Sequence, residues 1–100
     1  MGAGYPEKVY RKALAVRIRS KKIDAQEERY CKIEIDGQRI GHFFIDMLIS
    51  GKVAVELKAR GEIYKKDIAQ LLTYLKANNI KIGLILLFGK NGVDIKRLVY

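Results

Sequence analysis

A chain of 100 residues with 49% hydrophobic content is long enough for one core and too short for two with separate interiors, so a single domain over residues 1–100 is expected. The 20 Lys+Arg against 11 Asp+Glu give a formal charge of +9, which suits a polyanion such as nucleic acid better than an acidic protein. Cys31 is the only cysteine, which excludes an internal disulfide and a multi-cysteine zinc site within the chain, suits a reducing, cytoplasmic setting, and predicts a small packed side chain rather than a reactive thiol.

From Pro6 to Lys22 the apolar positions Val9, Tyr10, Ala13, Leu14, Val16 and Ile18 recur at helical spacing, and Pro6 is tolerated in a first turn. An amphipathic helix is predicted. Lys8, Arg11, Lys12, Arg19 and Lys22 fall opposite its apolar face and read as a solvated stripe, while Glu7 stands on the edge above Leu14 and Ile18 and leans inward. Tyr30 to Ile35 and Arg39 to Ile49 are β-rich runs joined by Asp36-Gly37, a pair able to take the positive φ values of a tight hairpin. A third strand, Lys52 to Ala59, follows Ser50-Gly51.

Helical period returns from Glu62 to Asn78 through Tyr64, Ile68, Leu71, Leu72 and Leu75, and Asn78-Asn79 closes the helix. Ile80 to Phe88 reads as a buried strand: Lys81 and Gly83 interrupt it, and it falls short of the ~20 residues that span a bilayer. The N-terminus has no basic start followed by an apolar stretch, so secretion is not indicated. After the turn cluster Gly89 to Gly92, Val93 to Tyr100 reads as a final, more exposed strand. The order α-β-β-β-α-β-β predicts a mixed α/β fold, a central mixed sheet flanked by helices.

Within Val53-Ala54-Val55-Glu56-Leu57-Lys58, period two sets Val53, Val55 and Leu57 on one face and Ala54, Glu56 and Lys58 on the other. Asp46 interrupts the apolar run Phe44 to Ile49, where burial is costly without a partner. Asp46 and Glu56 are equidistant from Gly51. A loop of odd length there sets them opposite one another, about 4.5–5.5 Å apart, whereas a two-residue loop sends them to opposite faces. Gly51 favours the three-residue bulged loop. Two carboxylates so close repel unless a cation lies between them, and hard oxygen ligands with room for water select Mg²⁺ or Mn²⁺. Such an ion can activate water for phosphodiester cleavage, with Lys58 orienting that water or neutralising charge. On spacing alone, a surface strand with an ordinary Glu–Lys pair stays open beside that reading.

On the second helix, Gln70 and Tyr74 are expected together on a polar flank, beside Lys66 and Asp67 and away from the Ile68-Leu71-Leu75 face. A glutamine there can hold a water or a phosphate oxygen; ordinary surface polarity is the alternative. His42, the lone histidine, reads as structural rather than ligating.

Gly4-Tyr5-Pro6-Glu7-Lys8-Val9-Tyr10 fits the GxxExxY signature and is followed in order by Asp46, Glu56-Leu57-Lys58-Ala59 and Gln70-Leu71-Leu72-Thr73-Tyr74. Along essentially its whole length the chain resembles GxxExxY proteins, a branch of the PD-(D/E)xK nuclease superfamily. The resemblance implies a restriction-endonuclease-like fold in which Asp46, Glu56 and the backbone carbonyl of Leu57 ligate the metal, Lys58 is catalytic, Glu7 adds a carboxylate, and Gln70 and Tyr74 match a QxxxY motif. Ile45 stands where the superfamily has a proline before its first aspartate, which costs no ligand. Proteins similar to this one carry a further helix before the GxxExxY segment; without it, apolar surface is expected to be covered by a second copy in a homodimer or by a partner. The implied activity is Mg²⁺- or Mn²⁺-dependent hydrolysis of DNA. A catalytically silent module that docks nucleic acid or protein on the same fold is the rival from another class.

Overall fold

The computed structural model describes residues 4–59 and 61–100. Its elements are α1 (Glu7–Ser20), β1 (Ala25–Ile35), β2 (Gln38–Ile49), β3 (Val53–Lys58), α2 (Lys65–Asn78), β4 (Ile82–Gly89) and β5 (Gly92–Val99), the order expected. The strands form one five-stranded sheet in the order β1-β2-β3-β4-β5. All neighbours are antiparallel except β3 and β4, which are parallel and joined through α2. A parallel neighbour needs such a crossover, whereas Asp36-Gly37 closes the β1–β2 hairpin with φ of 51° and 80°. At its far end α2 is closed by Asn79 in the left-handed region, φ 53°.

The connection from β2 to β3 has odd length. Ile49 pairs with Val53, leaving Ser50, Gly51 and Lys52 as the loop, with Ser50 and Gly51 at φ of 52° and 65°. One more pair along this register brings Asp46 opposite Glu56.

Alternation along β3 divides the core. Val53, Val55 and Leu57 pack under α1 with Leu14, Ala15 and Ile18, and Ala54 packs on the other side with Leu71, Tyr74 and Leu75 of α2. Helix α1 does not bury all of its predicted apolar face: Val9 and Val16 stay exposed, as do Val93, Ile95 and Val99 on β5. Helix α2 sits close to the sheet because Gly83, paired with Ala54, has no side chain. A Cβ at Gly83 would lie 2.9 Å from Leu71 Cδ2 and 3.2 Å from Leu75 Cδ1. Gly83→Ala is therefore expected to destabilise the protein by about 1–3 kcal/mol, the cost of overpacking a filled core, measurable as a lower urea midpoint.

Strand β1 begins five residues earlier than the predicted Tyr30, and its extra length carries Glu27 and Glu28. The stripe on α1 explains this. Arg11, Lys12 and Arg19 are not simply solvated; they reach Glu27 at 3.1, 3.3 and 3.2 Å, and Arg11 also meets Glu28 at 2.7 Å. Partial burial alone would raise the Glu27 carboxyl, but these three cations outweigh it and hold it below the usual carboxylate range.

Glu28 also marks an irregularity that the sequence did not announce. It has φ of 53°, a region that costs a non-glycine residue roughly 1–2 kcal/mol, and it is left out of the β1–β2 pairing opposite Asp46. Side-chain alternation slips at the same level in both strands. Cys31, Phe43 and Ile45 pack on the α2 side, whereas Ala25 and Met47 pack with α1. The slip lets neighbouring Glu27 and Glu28 both reach Arg11, and it falls where Asp46 must leave the regular ladder. Cys31 is buried, as its strand flanks predicted, and burial pushes its thiol up.

Candidate active site

The β2–β3 ladder stops at Met47 and Val55. At the next position side chains replace the missing backbone bonds: Asp46 N–H donates to Glu56 Oε1 at 2.9 Å, and Leu57 N–H donates to Asp46 Oδ2 at 2.7 Å. Each carboxylate thus commits one oxygen to the opposing strand. Asp46 Oδ1 and Glu56 Oε2 accept no hydrogen bond among the described residues. The protein alone orders both side chains and leaves one hard donor atom on each.

That order has an electrostatic cost. Glu56 is buried, 8% exposed, and Asp46 is half-buried. Burial is the main force raising the Glu56 carboxyl to about 8, the charge of Asp46 adds to it, and the Asp46 N–H and Lys58 oppose it incompletely. Burial likewise raises Asp46, against the Leu57 N–H and with help from the charge of Glu7. Against the charge of Lys58 alone, Glu56 therefore holds a proton at neutral pH. A divalent ion would take that proton's place.

Lys58 lies on the α2 side, as alternation predicted, with Nζ 3.3 Å from Asp67 Oδ1. Asp67 is 4% exposed, and its other oxygen accepts the Tyr64 N–H at 2.8 Å, capping the start of α2. Desolvation by itself would lower the Lys58 ammonium, but the charge and hydrogen bond of Asp67, then Glu7 and Glu56, raise it above the ordinary value. Lys58 is thus a fixed cation. Glu7, on the first turn of α1, accepts the Ala59 N–H at 3.3 Å and pins that helix to the end of β3. Its charge is felt at Asp46, Glu56 and Lys58.

The fold thus gathers Glu7, Asp46, Glu56, Leu57 and Lys58 from α1, β2 and β3. Among the described residues no three His, Cys, Asp or Glu side chains converge into an ion cage. The two-carboxylate opening still suits Mg²⁺, which is commonly held by one or two carboxylates with water and substrate phosphate completing its shell. A cleft of about 670 Å³ opens beside Ala59, lined also by Leu87, Phe88 and Asp94. Its lining does not include the carboxylate pair.

Over residues 1–98 the sequence matches the family model of the PD-(D/E)XK nuclease superfamily. The chain belongs to that superfamily. The crystal structure of SSO0001 is similar to it, with a TM-score of 0.64 and 15% identity, over 93% of this chain. This chain spans 50% of the length of that protein. No curated protein matches the sequence.

The expected PD-(D/E)XK motif positions do not all arrive. Ile45, standing in the proline position, is buried on the α2 side. Gln70 is exposed on α2, three residues beyond Asp67 and on the same side of the helix, with no hydrogen bond to the carboxylates. Tyr74 is not on the polar flank predicted for it: it is 2% exposed and packs with Ile45, Leu71 and Leu75. The spacing misplaces it because the sheet covers a wider arc of α2 than Ile68, Leu71 and Leu75 alone define. Asp67, read only as part of that flank, is the side chain on α2 that reaches the site; its signal was a carboxylate at the third position of a helix, where it can cap the backbone. His42 is exposed and stacked against Tyr30. No helix among the described residues is long and apolar enough to cross a membrane.

Proposed function

We propose that this chain is a metal-dependent nuclease of the GxxExxY branch, one catalytic domain that works in the cytoplasm and hydrolyses phosphodiester bonds of DNA. The observation that carries this reading is the Asp46–Glu56 pair, half-buried and buried, which the opposing strands hold in register and which presents one uncommitted oxygen from each residue. Nothing in the packing of β2 and β3 requires two acids there, and Glu56 is protonated at neutral pH until a cation takes that proton's place.

Asp46, Glu56 and the Leu57 carbonyl would hold Mg²⁺ or Mn²⁺, with Glu7, whose charge reaches Asp46 and Glu56, adding its carboxylate through a metal-bound water. When bound, the ion supplies a polarised water nucleophile and neutralises charge on the scissile phosphate. Lys58 cannot act as a base, since Asp67 and the carboxylates keep it protonated. It serves as a cation that orients the water or meets the charge developing on the phosphate. Gln70, exposed on α2 three residues beyond Asp67, would hold a phosphate oxygen. Tyr74 contributes by seating α2, and through it Asp67, rather than by touching substrate.

Purified protein is expected to nick or degrade plasmid DNA with Mg²⁺ or Mn²⁺, to stop with a chelator, and to lose activity as Glu56→Ala and as Lys58→Ala. Salt-sensitive DNA binding without cleavage would contradict this and favour the silent binding module.

A further inference from the structure

Tyr30, His42 and Phe44 make an aromatic shelf on the outer face of the β1–β2 hairpin. Tyr30 and Phe44 are paired directly across the two strands, and Lys32 is paired with His42. The Tyr30 and His42 rings stack with centroids 5.5 Å apart at 28°, and Phe44 stands edge-on to both at 5.6 and 5.9 Å. Between them in sequence, Cys31 and Phe43 point to the α2 side, so the shelf lies on the opposite face. Tyr30 is 46% exposed and Phe44 is 55% exposed. Leaving such rings in water forgoes most of the stabilisation that burial would bring.

Cations stand at the rim. Arg39 donates to the Tyr30 hydroxyl at 2.8 Å, and Lys32, which pairs with Glu34 at 3.2 Å, flanks His42. Phe44 precedes Asp46 by two positions on β2.

We propose that this shelf is a base-stacking subsite for single-stranded DNA, with unpaired bases lying on Tyr30, His42 and Phe44. Flat rings edged by Arg and Lys are the chemistry that binds unpaired bases irrespective of sequence, because every base offers a π-face. Duplex DNA keeps those faces inside its own stack. A chain of formal charge +9 adds general attraction for the phosphates. That the occupant is DNA rests on the nuclease reading; the stacking itself needs no metal.

The test is fluorescence anisotropy in a chelator, with labelled oligo(dT) and an abasic strand of the same length, at one fixed salt concentration. Wild-type protein is expected to bind oligo(dT) more tightly than the abasic strand. Tyr30→Ala and Phe44→Ala are each expected to weaken oligo(dT) binding roughly tenfold, the scale of one base–aromatic stack, with the abasic strand unaffected and Tyr30→Phe close to wild type. Circular dichroism melts verify that the variants are folded, and Tyr30→Phe reads the shelf where an alanine variant is not. No preference for oligo(dT), or equal losses on both strands, would overturn the proposal. So would a change in sedimentation mass with DNA affinity unchanged, which would make the shelf a contact between copies. Loss of the stacking signature in a protein that still cleaves DNA removes this inference alone, whereas an inactive protein that shows the signature removes only the nuclease reading.

Discussion

Glu56→Gln is expected to abolish metal-dependent cleavage, by on the order of 10²-fold or more, while raising the melting temperature of the metal-free protein at pH 9. Glutamine keeps an oxygen to accept the Asp46 N–H but cannot ionise beside Asp46. The folded-state value of Glu56 is about 8, against an ordinary 4.5. Below about 4.5 the group is protonated in both the folded and unfolded states and has no effect on stability. Between 4.5 and 8 the folded protein retains a proton that the unfolded chain has released, so stability falls as pH rises; above 8 the full cost remains. At about 1.4 kcal/mol per pKa unit, the gap between 4.5 and about 8 amounts to about 5 kcal/mol, and at about 4–8 °C per kcal/mol for a chain of this size its removal should raise the melting temperature by about 20 °C or more. The gain should vanish near pH 4.5. Calorimetry in a chelator at pH 5 and pH 9 reads both limits, and added Mg²⁺ should stabilise only the wild type. A variant less stable than wild type at pH 9 would mean that Glu56 is a structural acid and not a strained ligand.

Lys58→Met is expected to reduce cleavage by about 10²–10³-fold without weakening Mn²⁺ binding, because the lysine holds no metal. The same change strands Asp67, which is 4% exposed and would be left with only the Tyr64 N–H. Stability should therefore fall as well, by about 1–2 kcal/mol, since Lys58 is itself partly open to solvent and its pair is screened. Asp67→Asn keeps an acceptor for the cap but releases the lysine. The double variant should recover most of the lost stability and none of the cleavage. Urea midpoints for the four proteins complete the cycle, and full additivity would show that the two side chains do not act together.

Where one side-chain period governed, the sequence was a sound guide. The Asp36-Gly37 hairpin, the face shared by Ala54, Glu56 and Lys58, and the three-residue loop at Gly51 all follow from alternation and turn chemistry, and together they bring Asp46 to Glu56. What escaped depended on contacts between distant elements. Glu27 and Glu28 fall before the predicted strand start at Tyr30, because nothing nearby in sequence shows that Arg11, Lys12 and Arg19 neutralise Glu27. The slip at Glu28 and Asp46 reverses the alternation of two strands at once, and a left-handed glutamate gives no local signal. On α2 the four-residue spacing from Gln70 set Tyr74 on a polar flank, although the ring is buried in the cluster that holds Ile45, and it left Asp67 among surface residues although it caps the helix and holds Lys58. Charged side chains whose partners lie on another element cannot be assigned to core or surface from periodicity.

The most direct measurement is an anomalous difference map from a crystal of this protein soaked in Mn²⁺. A peak between Asp46 Oδ1 and Glu56 Oε2, bonded at about 2.0–2.2 Å with the Leu57 carbonyl or water completing the shell, is the predicted result. An empty site with both carboxylates still on the opposing backbone, or manganese bound elsewhere while this pair stays protonated, would contradict it.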